Sequence, residues 1–310
     1  MFPTEAKDAL IAWYLEQGRD LPWRRTRDPY RILVSEIMLQ QTQAERVVPK
    51  YHQFLQRFPT LEALADAPAS EVIRAWAGLG YNRRALNLQR ACRSVVERFD
   101  GRMPESVDEL LTLPGVGPYT AGAIACFAFE QDVGFVDTNI RRVLHRVVHG
   151  PEIPSAAVTA REMGELAQRV VPEGRGYVWN QALMELGATV CRARATACEQ
   201  CPVAPWCAAH GRMADAFARA PAARRGESVP FERTSRYFRG RIIDLLRSAP
   251  PRGLSAAEIA ESVDPGRTSE DGLWATPYLE GLKCDGLIVA AAASAIRETS
   301  VEYDGSETVD

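Results

Sequence analysis

The stretch Leu113-Pro114-Gly115-Val116-Gly117-Pro118-Tyr119-Thr120-Ala121 is the most telling part of the chain for its architecture, because it joins two helical segments by a turn. Two glycines permit a tight turn and a close approach of the backbone to a ligand, and Pro118 suits the first turn of the following helix. The amides of the turn and the helix N-terminus together favour a phosphate-sized anion site that reads no sequence. The alternative is a plain connection between two helices.

Helical periodicity extends on both sides of this turn. Residues 140–148 carry apolar side chains at the i, i+3, i+4, i+7, i+8 spacing of one helix face, and Gly150 ends the pattern. Similar apolar stripes occupy residues 32–39, 72–76 and 86–96, and no run before residue 210 alternates convincingly as a strand would. The sequence therefore predicts an all-α fold for this part of the chain.

Four cysteines form the pattern C-x6-C-x2-C-x5-C within one short loop, residues 191–207. Soft thiolate ligands select iron–sulfur clusters or zinc. Because a zinc site usually shows two C-x2-C pairs, the spacing favours an iron–sulfur cluster over zinc, with disulfides least favoured. The ligands would be Cys191, Cys198, Cys201 and Cys207.

Glu36 stands out in the first predicted helix because its neighbours at i±3 and i±4 are mostly apolar. A carboxyl group on such a face should have a raised pKa and hold a proton near neutral pH. The alternative is a helix that turns Glu36 outward. Asp137 precedes the helix that begins near Asn139, where it would serve as an N-cap or as a carboxylate facing a cationic transition state.

Composition and charge describe an ordinary globular protein of 310 residues with a formal net charge of −3. The net charge alone argues against nucleic acid, but only three of the 37 basic residues are lysines and the arginines cluster. Arginine suits bidentate phosphate contacts. No apolar run has transmembrane length and the first residues lack a signal-peptide pattern, so a cytoplasmic location is expected. The remaining cysteines are expected to be buried free thiols: Cys92, Cys126 and Cys284.

The predicted domain organisation has four parts. A helical domain covers residues 1–210 and includes the cysteine loop at 191–207, and a polar linker rich in Ala, Arg and Pro follows at 211–235. Three short helical patterns and an apolar segment at 236–300 resemble a winged helix, with Ser255 and Glu258 forming a capping box. An acidic tail closes the chain at 301–310.

With the hairpin, the cysteine loop and the two carboxylates, residues from about 10 to 210 resemble the helix–hairpin–helix DNA glycosylases with a 4Fe–4S loop. Within that superfamily the stretches 33–43, 21–24 and 78–81 resemble MutY-type adenine glycosylases. The resemblance implies two helical subdomains flanking a DNA-binding cleft, a 4Fe–4S cluster, and removal of adenine mispaired with 8-oxoguanine or guanine in double-stranded DNA. A nucleoid-associated monomer without membrane contact is expected.

The resemblance also implies roles for individual residues. The catalytic group would be Glu36 as acid, Asp137 as stabiliser of the sugar cation, and Tyr119 and Asn139 as their supports. Residues that contact DNA would be Arg24, Gln41, Thr42, Tyr81, Gly115, Val116 and Gly117. The adenine pocket would be lined by Trp23, Leu39 and Met184.

Two departures from relatives refine this interpretation. Superfamily members that also cut the strand carry a lysine where Tyr119 stands, so this chain should remove a base without efficient strand cleavage. Residues 211–310 contain no string typical of the Nudix-like domain of longer relatives, so discrimination of the opposite base should rest on Gln41, Thr42 and Tyr81. The alternatives are a thymine glycosylase for T·G mismatches and a non-catalytic iron–sulfur DNA-binding protein.

Overall fold

The computed structural model describes residues 2–151, 158–219, 230–250, 252–266, 273–290 and 296–298. Helices dominate these residues, as the sequence predicts. The helices are α1 (Thr4–Gln17), α2 (Pro29–Leu39), α3 (Ala44–Arg57), α4 (Leu61–Asp66), α5 (Ala69–Ala75), α6 (Arg83–Phe99), α7 (Val107–Leu110), α8 (Pro118–Phe129), α9 (Thr138–Val148), α10 (Ala160–Val170), α11 (Gly176–Thr189), α12 (Met213–Arg219), α13 (Ser235–Arg247), α14 (Ala256–Val263) and α15 (Thr276–Cys284). The strands among them are β1 (Ile288–Ala290) and β2 (Ile296–Glu298), which pair antiparallel.

Contacts within the chain divide it into two units, each assembled from separate stretches of sequence. The first unit comprises residues 1–36, 104–112 and 116–225, and the second comprises residues 37–103, 113–115 and 226–310. The cysteine loop therefore belongs to the first unit, whereas the C-terminal residues belong to the second.

Packing in the first unit is organised around α11, which lies against α1 and α9. Gly187 of α11 makes the contact with α9 possible, because a Cβ at this position would lie 2.7 Å from the Cβ of Asn139. Asp137 is the N-cap of α9 and directly precedes its first residue, Thr138. Two predicted site residues, Asp137 and Asn139, are thus placed by an N-cap and by a close helix crossing.

In the second unit, α6 packs against α4 and α5 along its predicted apolar stripe. The buried residues of that stripe include Leu86, Leu88, Cys92 and Val95. Gln89 on the same helix is buried as well, and its amide donates to the carbonyls of Leu64 and Ala67. The stripe and this buried amide together fix the short helix α4 on α6.

The C-terminal part of the second unit contains α13, α14 and α15 followed by the β1–β2 ribbon, the order expected for a winged-helix-like unit. The predicted capping box between Ser255 and Glu258 is present at the start of α14. This part does not bury its apolar face alone, because its core residues pack together with helices α5 and α6 of the same unit. The shared cluster includes Ala69, Ile73 and Leu86 on one side and Phe238, Ile242, Ile243 and Leu246 on the other.

Some sequence predictions fall on parts of the chain outside the described residues. These parts include the acidic tail at 301–310 and residues 220–229 of the predicted linker, while helix α12 occupies an earlier part of that linker. The prediction that Cys284 is buried is wrong: it is exposed, because it ends α15 beyond the buried residues Leu279 and Leu282. Among the described residues, none of the helices has the length and apolarity needed to cross a membrane.

Candidate active site

Glu36 is the most unusual carboxyl group of the first unit. Helix α2 turns it inward, with 3% of its surface exposed. Burial raises its pKa to about 7; a hydrogen bond with Tyr119 and the charge of Arg24 oppose the rise, whereas the charge of Asp137 adds to it. Its Oε2 has no hydrogen-bond partner among the described residues. Glu36 can therefore be protonated near neutral pH, and one of its oxygens is left for a ligand.

Tyr119 lies in the first turn of α8, directly after the glycine hairpin. Its hydroxyl contacts Sδ of Met184 at 3.9 Å, and its ring packs edge-on against Phe135 with centroids 5.4 Å apart. Burial and the nearby charges of Glu36 and Asp137 raise the pKa of Tyr119 well above its usual range. Tyr119 is therefore a neutral phenol between a predicted acid and a predicted pocket residue.

The sequence allowed Asp137 to be a helix N-cap or a site carboxylate, and its hydrogen bonds are compatible with both. Its Oδ1 accepts a hydrogen bond of 2.6 Å from the amide of Ile140, which is the N-cap interaction. Its Oδ2 accepts one of 2.8 Å from Nδ2 of Asn139. Two N–H donors thus fix the plane of this carboxylate, and its charge acts on the pKa of Glu36. The cap does not compete with a role in the site, since it orients the group.

Arg142 connects Asn139 to the cysteine loop. Its Nη2 donates to Oδ1 of Asn139 at 2.8 Å and to the carbonyl of Gly187 at 2.6 Å. Its Nε donates to the carbonyl of Cys191 at 2.8 Å. A continuous hydrogen-bonded chain therefore runs from the first cysteine of the loop through Arg142 and Asn139 to Asp137. Displacement of the loop would reach the carboxylate through these bonds.

A second polar network lies around Glu185 of α11, which is fully buried. Arg24 donates to Glu185 at 2.7 Å and to Oε1 of Gln181 at 2.8 Å, and Arg19 donates to Glu185 at 2.7 Å. Burial alone would raise the pKa of Glu185, but the hydrogen bonds from Arg19 and Arg24 outweigh it and lower the pKa. The sequence assigned Arg24 to DNA; here its guanidinium is bonded within the protein. Its neighbour Trp23 is also buried.

The four predicted cluster ligands line one pocket, together with apolar residues of α9 and α11. Among the described residues, no three potential ligands converge tightly enough for a single metal ion. A mononuclear zinc site requires such convergence, with Zn–S distances near 2.3 Å. The positions of the four sulfur atoms alone do not distinguish an iron–sulfur cluster from zinc.

The charge beside the cysteine loop also suits an anionic cluster. Arg146 is 4% exposed, and its Nη1 lies 3.4 Å from Sγ of Cys191. The described part of the chain offers this guanidinium no carboxylate within salt-bridge distance. Buried cations need a compensating charge or a full set of hydrogen bonds. Arg146 also donates to the carbonyls of Arg192 and Ala193 at 2.8 and 3.2 Å, so backbone oxygens compensate part of its charge, and thiolates would add to this. Burial raises the pKa of Cys201 to about 12.

In the second unit, Arg84 bonds to two segments, 37–42 and 79–80. The first contains the predicted DNA-contacting residues Gln41 and Thr42, and the second directly precedes Tyr81. The Arg84 guanidinium donates to the carbonyls of Ile37, Met38 and Gln40, to Oγ1 of Thr42, and to the carbonyls of Leu79 and Gly80. Gln41 and Tyr81 both have left-handed backbone angles, with φ of 57° and 48°. Arg84 therefore links the two turns that contain Gln41 and Tyr81. Leu39 belongs to the first turn, because its carbonyl accepts a hydrogen bond from the Thr42 amide.

The glycine hairpin has the geometry that its sequence predicts. Gly115 has φ of 78°, and a Cβ there would lie 2.7 Å from the Cβ of Asn87, so only glycine fits. Gly117 is the N-cap of α8, with open space where a Cβ would lie. Val116 between them is buried. Gly115 is exposed, and anion binding at the hairpin stays a prediction.

Several residues of these networks were not assigned to a site by the sequence, namely Gln181, Glu185, Arg84 and Arg142. Gln181 and Glu185 lie four residues apart on an otherwise apolar helix, which is the signal that singled out Glu36. The arginine clusters were noticed, but phosphate contacts were expected of them. Arg84 and Arg142 instead donate mostly to backbone carbonyls inside the protein.

Comparison with protein families and curated proteins places this chain among DNA repair proteins. The model of the HhH-GPD superfamily of base excision DNA repair proteins matches residues 34–169. An adenine DNA glycosylase of Mycolicibacterium smegmatis is 40% identical over 286 residues, 91% of this chain and 92% of that protein. One of Mycobacterium tuberculosis is 43% identical over 77% of this chain and 78% of that protein. The human adenine DNA glycosylase is 46% identical over 68% of this chain but only 40% of the human protein.

Solved structures agree on the fold. A thermostable thymine-DNA glycosylase superposes with a TM-score of 0.60 at 31% identity, over 69% of this chain and 95% of that one. Endonuclease III in a non-covalent complex with DNA gives a TM-score of 0.58 at 22% identity, over 69% of this chain and 95% of that one. The second likeness shows the fold alone.

Proposed function

Because this chain belongs to the adenine DNA glycosylase family of helix–hairpin–helix base excision repair proteins, we propose that it removes adenine paired with 8-oxoguanine or guanine in duplex DNA. The observation that carries this proposal is the buried Glu36, with a pKa of about 7 and a free oxygen beside Tyr119 and Asp137. The protein acts as a monomer on a nucleotide that has turned out of the duplex.

The first step is protonation of the leaving base. Adenine leaves poorly as an anion, so a general acid must protonate a ring nitrogen as the N-glycosidic bond breaks. Glu36 gives this proton, and the electrons of the broken bond remain on the base. The Tyr119 hydroxyl, hydrogen-bonded to Glu36, orients the acid. A carboxyl group with its ordinary pKa would be almost fully ionised at pH 7 and would lack the proton.

The second step concerns the sugar cation that is left behind. Asp137 places a negative charge near the cationic C1′, where preorganised charge stabilises the transition state most effectively. Its two hydrogen bonds, from Asn139 and from the Ile140 amide, hold the carboxylate so that it need not reorganise. Water then adds to C1′, and the ionised Glu36 takes the proton that the water loses. Atoms and charge balance, and Glu36 ends protonated again.

The base pocket is proposed to involve Trp23, Leu39 and Met184, with Arg24 holding Gln181 and Glu185 in place rather than binding phosphate. The contacts of Gln41, Thr42 and Tyr81 with DNA are proposed on the strength of their grouping around Arg84. The backbone at Gly115, Val116 and Gly117 is proposed to bind a phosphate at the start of α8.

A 4Fe–4S cluster is proposed for the cysteine loop. The four thiols that line one pocket and the buried Arg146 beside them support a thiolate-bound metal centre, and the family of this chain favours 4Fe–4S. The cluster would be held by Cys191, Cys198, Cys201 and Cys207 and would crosslink the loop, and no reaction step is assigned to it. Because Arg142 bonds to both Cys191 and Asn139, the crosslinked loop would help to fix the positions of Asn139 and Asp137.

The experiment that tests the proposed function is a single-turnover excision assay on duplexes containing A·8-oxoG, A·G, T·G and A·T, with alkali used to break abasic strands. We expect excision of adenine from the first two duplexes only. Glu36→Gln should lower the rate by about 10²–10⁴-fold while duplex binding persists, because phosphate contacts dominate affinity. Glu97→Gln on the exposed face of α6 is the matched control.

Thymine removal from T·G pairs is the second candidate, because the thymine-DNA glycosylase structure is 31% identical over its shared region. Excision from T·G without excision from A·8-oxoG would replace the proposed function by this one. Tight duplex binding with no excision from any substrate would favour the non-catalytic alternative.

A further inference from the structure

Tyr81 lies in an unusual conformation on the surface of the second unit. It is 41% exposed and its φ is 48°, which a tyrosine adopts only where its surroundings impose it. The neighbouring turn is held by Arg84, whose guanidinium donates to the Gly80 carbonyl and lies 5.5 Å from the Tyr81 ring centroid. The backbone of Tyr81 is thus fixed locally, but its ring projects from the turn.

The ring of Tyr81 is held from its other end by the C-terminal part of the same unit. Nη1 of Arg236 donates a hydrogen bond to the Tyr81 hydroxyl. The guanidinium of Arg236 also lies 5.5 Å from the Tyr81 ring centroid and 5.2 Å from that of Phe231. Both distances are within the range of cation–π attraction, about 6 Å. Arg236 therefore lies between two exposed aromatic rings, one of which is a predicted reader of DNA.

Arg236 is well anchored although its side chain is exposed. It is the second residue of α13, whose first turn is capped by Thr234. Phe238 and Ile242 on the same helix are buried in the cluster shared with Ile73 of α5. The position of the Arg236 backbone is therefore set by the core of the second unit, the unit that also carries Tyr81.

Arg236 forms no salt bridge with a carboxylate of the described residues. On the described part of the chain, Arg239 pairs with Asp285 and Arg247 with Asp244, whereas no acidic group lies within salt-bridge distance of Arg236. Within the described ranges, its hydrogen bond is to Tyr81 and its ring contacts are to Tyr81 and Phe231. An arginine whose partners are aromatic side chains is placed to orient a ring rather than to balance a charge.

We propose that Arg236 is a positioning residue that holds the Tyr81 ring for reading the base opposite the excised adenine. The C-terminal part would thereby contribute to discrimination through Tyr81, without a Nudix-like domain. This inference rests on the proposed function, since it deepens the role of Tyr81 there. The hydrogen bond restricts the hydroxyl and the cation–π contact restricts the ring, so the ring loses less entropy when it enters the duplex.

The test is a mutant cycle read as the ratio of single-turnover kcat/KM for A·8-oxoG over A·G. Arg236→Ala should lower this ratio about two- to tenfold, the effect of one exposed cation–π contact and one hydrogen bond. Arg236→Lys, which keeps a cation and a donor, should recover part of the loss. In a Tyr81→Leu background, Arg236→Ala should change the ratio no further, because Arg236 acts through the ring.

Arg241→Ala is the matched control, since Arg241 is an exposed arginine of the same helix whose ring contact is to Tyr237. It should leave the ratio unchanged. The proposal is overturned if Arg236→Ala slows both substrates equally and does so again in the Tyr81→Leu background, which would make Arg236 a phosphate contact. Wild-type protein that excises no adenine would instead refute the proposed function. Excision with a ratio insensitive to Arg236→Ala would refute only this inference.

Discussion

Glu36 reduces the stability of the protein whenever it is ionised, because its carboxylate is buried. Its pKa is about 7 when folded and 4.5 for the free group. The folded state therefore binds more protons than the unfolded state between these values, and stability falls as pH rises through this window. The protein therefore keeps the proposed catalytic acid buried although its ionised form destabilises the fold.

Replacement of Glu36 by glutamine should reveal that cost. At about 1.4 kcal/mol for each pKa unit, Glu36→Gln should be more stable than wild type by about 3 kcal/mol at pH 8, and the gain should shrink towards pH 4.5. Urea unfolding of both proteins at several pH values measures it. A constant difference across the pH range would mean that Glu36 does not titrate in this window.

In the proposed mechanism, Tyr119 occupies the place from which an amine could attack the sugar. The wild-type protein should leave an intact abasic strand until alkali is added, and borohydride should trap little covalent adduct, since a Schiff base needs an amine at this place. Tyr119→Lys should increase both trapping and strand nicking. Tyr119→Phe is the control, because it removes the hydroxyl without adding an amine. Efficient trapping by the wild type would refute the monofunctional interpretation.

At the scale of a helix, α9 carries two adjacent arginines with different partners. Arg142 bonds to Asn139, Gly187 and Cys191, whereas Arg141 bonds to the carbonyl of Val158. Arg142→Ala should lower the single-turnover rate by up to about 100-fold, since small misplacements of a catalytic group can cost that much. Arg141→Ala should change it little. Equal effects of the two substitutions would mean that the hydrogen bonds running from the cysteine loop through Arg142 and Asn139 do not position Asp137.

The cysteine loop should behave as a structural element with iron. Purified protein should contain about four iron and four sulfide per chain, as four thiolate ligands of a 4Fe–4S cluster imply. Cys198→Ser should lower iron content, thermal stability and DNA binding together. Cys284→Ser, which alters an exposed thiol outside the loop, should leave all three unchanged. Stoichiometric zinc in a colourless protein would contradict the cluster assignment.

On the scale of the molecule, the second unit depends on the C-terminal residues for its core. Deletion of residues 226–310 would expose Ile73 and Leu86, which are buried in the shared cluster. Each should cost about 1.5–3 kcal/mol, so the free energy of unfolding should fall by about 3 kcal/mol or more. Urea unfolding of the shortened chain measures this loss. Unaltered stability would mean that the shared cluster contributes little.

This dependence changes how a truncation must be interpreted. Loss of activity in the shortened chain would report loss of core packing as well as loss of DNA contacts. Substitutions at exposed positions such as Arg236 avoid this ambiguity, because they leave the buried residues of α13 in place. Point variants are therefore the sharper means of separating recognition from stability in this protein.

Local sequence was sufficient to predict the features that depend on residues close together in the chain. Helical spacing indicated that Glu36 faces apolar neighbours, and the short cysteine spacing put four thiols in one loop. The capping tendencies of Asp137 and Ser255 were predicted for the same reason, since a cap requires only its own first turn.

The long-range pairings were decided only by the tertiary structure. Arg24 meets Glu185 across 161 positions, Arg142 meets Cys191 across 49, and Arg236 meets Tyr81 across 155. Periodicity tells which face of a helix is buried, but not which helix packs against it or what a long arginine side chain will meet there. Those partners follow from helix packing, and they hold the proposed catalytic carboxylate and the exposed tyrosine in place.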